Sequence, residues 1–479
     1  MRLPVILRYV CLVLLLNAVF LFLSSLISLL YHDDSFFPLI YSTVLCLLFG
    51  IFPLIFIPPI KDVTSEEGLI IIVCSWLLSC TIGAIPYVLW GGEFSFTNAW
   101  FESVSGYTTT GSTVLLEIES LPHGLLFWRS TTHWIGGIGI ILFVLAVLPY
   151  IGIPEVALYK AEISAFAREK LNFRTRKAVQ VLLVVYVGLT LLETVFLLAG
   201  GMSLYDAVVH SFATIATGGF SPRNASVAYY DSVYIEVVII VFMVLSGLNF
   251  AVLYTAILGK VGNLLSSTAF KYYLTAMAVG ILICAIYSYH APYESLGESL
   301  RQSAFQVVSI GTSTGFATTD TTLWPPIAQL ILIFFTLQCA CTGSTSGGIK
   351  ADRVAILGKS IFRMLRKTAH PLAIIHVRMD GKVVDDEVVN LGILYIAVYL
   401  LIVFIVTLVL TAMGVDLYSA FSGSAACMGN VGPGFGTVGS IGNFHHIPEA
   451  GKWVLSLAML LGRLEIYGII FLLMPRGWK

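Results

Sequence analysis

The chain has 479 residues, of which 58% are hydrophobic and 11% charged, against roughly 25% charged in soluble domains. Length alone would allow two to four soluble domains; this composition excludes them and implies a polytopic α-helical membrane protein. The net charge of −1 singles out no partner, and no nucleic acid is expected.

Ten mostly apolar stretches are long enough to cross a ~30 Å hydrocarbon layer. They fall near 5–30, 37–60, 68–91, 124–150, 178–200, 232–259, 272–289, 326–349, 388–414 and 453–475. The first is too long for a signal peptide and lacks a small-residue cleavage end, so it is read as a true span. All Lys and Arg except Arg129, Arg223, Arg301, Lys452 and Arg463 lie at the termini or after spans 2, 4, 6 and 8. The positive-inside bias therefore predicts cytoplasmic N- and C-termini. The eight cysteines form no CxxC pair, so neither disulfide nor metal chemistry is supported.

Residues 1–60 read as an appended transmembrane hairpin. From Lys61 a unit recurs: a span, a short amphipathic segment, a polar glycine loop and a second span. The four units are placed at 61–157, 158–268, 269–366 and 367–479. Their loops carry Thr109-Thr110-Gly111, Thr217-Gly218-Gly219, Ser313-Thr314-Gly315 and Asn430-Val431-Gly432. Aligned on the last glycine of each, the residues thirteen earlier are Asn98, Asp206, Gln302 and Ser419, all polar. Those twelve earlier are Ala99, Ala207, Ser303 and Ala420, all small. Ser95, Ser203 and Asp416 are expected to cap the segments before loops one, two and four. At about 10–14 residues these segments are too short to cross a bilayer, so they read as re-entrant half-helices. Non-helical backbone at membrane depth survives only where it lines water or is buried in protein, which four loops around one axis satisfy.

The positive-inside assignment puts the loops at the outer side. A half-helix entering from there aims its C-terminus, with about half a negative charge, at the membrane centre. Carbonyls of the returning loops can replace the hydration shell of an ion, and glycine allows the backbone angles required. Hydroxyls of Thr109, Thr110, Thr217, Ser313 and Thr314 are candidate additional oxygens. Oxygen-only ligation without a carboxylate ring suits a monovalent alkali cation. A single Thr-Gly would more simply be a helix kink; four copies with matched lead-ins argue against that.

Two other features interrupt spans. Gly343-Ser344-Thr345-Ser346-Gly347-Gly348 in span 8 is too rich in small polar residues for a straight helix, and is read as a gate rather than an inert kink. It lacks the Gly-Lys-Ser/Thr of a phosphate loop. Arg463 falls within span 10, where a charge costs about 2.5–3.5 kcal/mol even on an insertion scale. It is read as pore-facing; the alternative is a buried ion pair with Glu193, Glu236 or Glu465. Arg129 and His133 are placed behind the first loop as braces, His133 more simply as a satisfied core residue. His445-His446 makes a weak metal case, and His133-Trp134-Ile135-Gly136-Gly137 is helix-packing glycine rather than a dinucleotide motif. The basic segment 158–177 and the longer one from Lys350 to Glu387 are cytoplasmic. The second is expected to hold a hairpin turning at Asp380-Gly381. Lipid-headgroup contact and docking of a cytosolic subunit are both open for it.

These loops, the interruption at 343–348 and the run Met459-Leu460-Leu461-Gly462-Arg463-Leu464-Glu465-Ile466 resemble the superfamily of K⁺ transporters containing TrkH, KtrB and the plant HKT proteins. The resemblance covers nearly the whole chain, and the hairpin at 1–60 makes it look like TrkH rather than KtrB. It implies four helix–pore loop–helix repeats around one pore, a homodimer in the bilayer, and a TrkA-like nucleotide-binding cytosolic subunit controlling opening. It further implies that Gly111, Gly219, Gly315 and Gly432 are filter glycines in the K⁺-selective pattern. By the same pattern 343–348 is the gating loop, and Arg463 lies below the filter. Ser346 departs from the glycine common in relatives, which implies a stiffer gate. The expected function is K⁺ uptake through a gated pore of a bacterial inner membrane, passive or coupled to Na⁺ or H⁺. K⁺ is then the transported ion, with no organic cofactor on the chain. A secondary transporter of an organic solute would instead show two inverted halves. An intramembrane enzyme would need a Ser/His, paired Asp or HExxH arrangement, none of which is present.

Overall fold

The computed structural model describes residues 2–58, 65–146, 175–290 and 292–466. The N-terminal pair is α1 (Leu3–Tyr31) and α2 (Phe36–Phe56). The first unit is α3 (Ser65–Trp90), the half-helix α4 (Phe96–Tyr107) and α5 (His123–Ala146). The second is α6 (Thr175–Ala199), half-helix α7 (Leu204–Ile215), and the pair α8 (Val233–Ser246) and α9 (Phe250–Ile257). The third is α10 (Thr268–Ser288), half-helix α11 (Leu296–Gly311), α12 (Pro326–Leu337) and, past an irregular loop, α13 (Ala351–Ala369). The fourth is α14 (Asp386–Ala412), half-helix α15 (Leu417–Gly429) and α16 (Glu449–Arg463). Each of the ten predicted stretches corresponds to a helix or a broken helix. The basic segment 158–177 lies outside the described residues except for its last three, as do the end of span 10 and the unit boundaries at 61 and 158.

Six of the described helices are long and apolar enough to cross a membrane, and a seventh span results if α8 and α9 count as one. Large apolar side chains point outward, among them Phe52 and Ile55 on α2 and Phe404 and Leu408 on α14. The interior is rich in small polar groups such as Thr109, Thr131, Ser309 and Thr312. This inverts the soluble pattern, as expected where lipid is the outer solvent and most hydroxyls find partners within the bundle. One apolar core gathers units two and three around Phe242, Phe305 and Phe335. A second joins α1 and α2 to units one and four around Leu39, Phe101, Trp128 and Met459. The N-terminal pair is also tied in by polar contacts: Tyr107 OH donates to Asn17 Oδ1 at 2.8 Å, and Asn17 Nδ2 donates to Ser79 Oγ at 2.9 Å.

Three half-helix starts follow the predicted chemistry. Ser95 accepts from Asn98 N, Ser203 from Asp206 N and Asp416 from Ser419 N. The third is longer than expected, 16 residues, and Ser295 makes no side-chain cap bond. Span 8 breaks as predicted, and residues 338–349 form a loop pinched shut at its base. Cys339 N donates to Ile349 O at 2.9 Å and Ile349 N to Leu337 O at 3.1 Å. Span 6 is broken as well, which sequence reading did not anticipate: α8 and α9 meet at 108°. The predicted hairpin forms from β1 (Arg378–Met379) and β2 (Lys382–Val383), with Asp380 and Gly381 at φ 52° and 77° as a type I′ turn requires. It is held to the start of α10 by Asp380 N donating to Thr268 Oγ1 at 3.1 Å.

Candidate functional site

All four half-helices end the same way. The amide of the residue before the last glycine bonds back five residues: Thr110 N to Ser105 O (2.9 Å), Gly218 N to Ala213 O (2.8 Å), Thr314 N to Ser309 O (2.8 Å) and Val431 N to Ala426 O (2.9 Å). This Schellman-type closure needs a left-handed residue. It is supplied by Thr109, Thr217, Ser313 and Asn430, at φ 52°, 54°, 58° and 53°. Such backbone is uncommon for any non-glycine residue and an outlier for β-branched threonine, the kind of strain that collects at functional sites. Two residues on, Gly111, Gly219, Gly315 and Gly432 are left-handed again at φ 84°, 78°, 82° and 100°.

The loops also touch in a closed cycle. A Cβ placed on Gly111 would strike the Gly218 carbonyl oxygen, on Gly219 that of Thr314, and on Gly315 that of Val431. On Gly432 it would lie 2.7 Å from the carbonyl oxygen of Thr110, which closes the circle. Each glycine thus backs onto the carbonyl preceding the next unit's glycine, and all twelve predicted loop residues belong to one ring. Most of the hydroxyls proposed as extra ligands are engaged with neighbours. Thr110 and Thr108 hydroxyls are 2.7 Å apart, Thr314 and Thr312 2.8 Å apart, and Thr217 donates to Ala216 O at 2.6 Å. The Ser313 hydroxyl accepts from Gly347 N at 3.0 Å. Only Thr109 Oγ1, among these five, is buried without a hydrogen bond. The ring therefore offers mainly backbone oxygens.

The interrupting loop of span 8 lies against this ring. A Cβ on Gly347 would meet the Gly429 carbonyl oxygen. Thr345 Oγ1 donates to Ile215 O at 3.0 Å. The break in span 6 is its socket: Cys341 N donates to Gly247 O at 3.1 Å, Phe250 N to Gly343 O at 3.2 Å and Asn249 Nδ2 to Thr342 O at 3.0 Å. Arg463, 1% exposed, donates from Nη1 to Thr345 O at 2.6 Å and from Nη2 to Gly136 O at 3.1 Å. Arg463 therefore bonds carbonyls, and two of the candidate acid partners are taken elsewhere. Glu465 pairs with Arg353 at 2.9 Å and Glu236 with Arg301 at 3.5 Å. Ser344 and Ser346 hydroxyls are 2.9 Å apart, Ser346 Oγ accepts from Lys350 Nζ at 3.3 Å, and Lys350 also donates to Ser346 O. Gly343, Ser344, Thr345, Ser346, Gly347, Gly348 and Arg463 thus form one assembly on the half-helix side of the ring.

A cation transport family model, TrkH, matches residues 56–477. The chain belongs to the TrkH cation transport family. It is 34% identical to the Trk system potassium uptake protein TrkH of Vibrio parahaemolyticus over 99% of both chains. It is 32% identical to that of Escherichia coli K12 over 100% of both. The crystal structure of the potassium transporter TrkH from Vibrio parahaemolyticus matches with a TM-score of 0.91 over 100% of both chains, at 32% identity.

Within this TrkH-family chain, Arg129 and His133 sit behind the ring as expected. His133 Nδ1 is 2.7 Å from Gly106 O, and its Nε2 accepts from Phe220 N at 3.2 Å, so the ring proton belongs on Nδ1. That is a satisfied core histidine. His446 Nε2 lies 2.7 Å from Thr437 Oγ1, and His445 Nδ1 3.1 Å from Val114 O. Sequence reasoning missed Glu102, which pairs with Arg129 at 2.6 Å, and the Gly247–Asn249 socket. A count back from the loop glycines would have found Glu102; a lone Gly-Leu-Asn in an apolar run carries no comparable signal for the socket.

Proposed function

We propose that this chain conducts K⁺ into bacterial cells across the inner membrane, through the ring formed by Thr109–Gly111, Thr217–Gly219, Ser313–Gly315 and Asn430–Gly432. The observation that carries the reading is the closed cycle of glycine-to-carbonyl contacts, which brings main-chain oxygens of four units to one place as a dehydrated cation requires. The potassium uptake and transport stated for its relatives supports the choice of ion. The loop 343–348, locked by Arg463, is the gate. A TrkA-like nucleotide-binding cytosolic subunit releases it, and two copies of the chain associate in the bilayer. Both termini are cytoplasmic, so α13 and the 378–383 hairpin face that subunit.

Inward movement of one charge gains about 2.3 kcal/mol per 100 mV of negative-inside potential, which drives uptake without chemical coupling. The test is Rb⁺ uptake into proteoliposomes at clamped voltage, with and without opposing Na⁺ and H⁺ gradients. Voltage-driven uptake blocked by K⁺ but not Na⁺ is expected. Uptake that requires a Na⁺ or H⁺ gradient would replace the passive reading by symport.

A further inference from the structure

Nine residues before Gly111, Gly219, Gly315 and Gly432 stand Glu102, His210, Gln306 and Gly423, the same position on each half-helix. In three units this side chain reaches the returning limb of its own loop. Glu102 accepts from Thr113 Oγ1 at 3.0 and 3.1 Å and from Val114 N at 3.1 Å. His210 Nε2 is 3.2 Å from Ser221 Oγ, and Gln306 Nε2 donates to Thr318 Oγ1 at 3.3 Å. In the fourth unit glycine offers nothing; the neighbouring Ser422 Oγ accepts from Phe435 N at 2.8 Å instead.

Only the first of these braces is an ion pair. Arg129 Nε donates to Glu102 Oε1 at 2.6 Å, with side chains 2% and 0% exposed. Arg129 Nη1 also donates to Ser221 O at 3.1 Å, and the guanidinium lies 3.4 Å from the centre of the Phe220 ring. Phe220 and Ser221 directly follow Gly219. One arginine therefore ties the returning limb of the first loop, through Glu102, to that of the second.

Resting on the K⁺-pore reading above, we propose that Glu102 and Arg129 are specificity-determining positioning residues that hold the first two filter loops at a fixed separation. A carbonyl cage favours K⁺ only while its oxygens resist closing around the smaller Na⁺. A desolvated ion pair whose carboxylate also accepts from a hydroxyl and a backbone amide is a stiff tether. Loss of the clamp softens one half of the ring, so discrimination falls before throughput does.

The experiment uses the full-length protein in proteoliposomes and measures Rb⁺ uptake against competing Na⁺ and K⁺, with fluorescence-detected size exclusion to confirm folding. Glu102→Gln should keep Rb⁺ uptake while lowering discrimination against Na⁺ by about tenfold, since the cage relaxes without being removed. Glu102→Asp, which keeps the charge but shortens the reach, should lower it less, and decides the matter if Glu102→Gln does not fold. Gln306→Ala, removing the neutral brace of the third unit, should change it least. Folded Glu102 variants with wild-type discrimination overturn the clamp alone. Wild-type protein without preference for K⁺ over Na⁺ overturns both the clamp and the pore reading.

Discussion

Gly111 shows how little room the ring leaves. Its left-handed backbone disfavours any side chain, and the carbonyl of Gly218 occupies the space of a Cβ. Gly111→Ser should therefore displace a neighbouring unit's oxygen and erode K⁺ over Na⁺ discrimination, read as the relative block of Rb⁺ uptake by the two ions. Unchanged block would remove Gly111 from the filter. Arg463 acts differently. Its two carbonyl bonds tie Thr345 of the loop to Gly136 of α5, and the pore reading proposed above makes its charge a barrier to the cation. Arg463→Ala should raise Rb⁺ flux in the absence of any cytosolic subunit; a lower flux from a folded variant would contradict a barrier role. Sequence made Arg463 conspicuous because a charge in an apolar span is costly. It did not identify the partners, since backbone carbonyls are invisible to residue-type reasoning.

Among the elements, the two broken helices work as a pair. The loop of span 8 is seated by the kink of span 6, and Asn249 serves both. Its Oδ1 caps α9 by accepting from Ala251 N at 2.9 Å and Val252 N at 3.2 Å, while its Nδ2 holds Thr342 O. Asn249→Ala should cost roughly 1 kcal/mol of cap energy and loosen the loop, giving a lower melting temperature together with a basal Rb⁺ leak. A stability loss without a leak would mean that the socket does not control the gate. Deleting 343–348 should leak more strongly, and Ser346→Gly, which removes the hydroxyl bonds to Ser344 and Lys350 but leaves Lys350 on the residue's carbonyl, should raise basal flux modestly. The first break was legible because six small polar residues cannot sustain a helix. The second was not, because Gly247-Leu248-Asn249 bends only where a neighbouring loop accepts and donates the freed backbone bonds.

For the molecule as a whole, ring closure makes the four units interdependent, since each glycine leans on the next unit's carbonyl. A substitution at Gly219, Gly315 or Gly432 should therefore disturb ion block as Gly111→Ser does, though each lies in a different unit. Selectivity loss confined to one unit's substitution would argue against a shared ring.

Composition, hydropathy and the spacing of the polar glycine runs determined by themselves that the chain is helical, membrane-embedded and fourfold repetitive. They also located three of the half-helix caps, because these depend on local rules of burial and backbone satisfaction. The tertiary structure alone decided which carbonyl each glycine meets, where span 6 breaks and that Glu102 answers Arg129. Those are contacts between segments some thirty to several hundred residues apart, and no local preference encodes which distant group fills a given space.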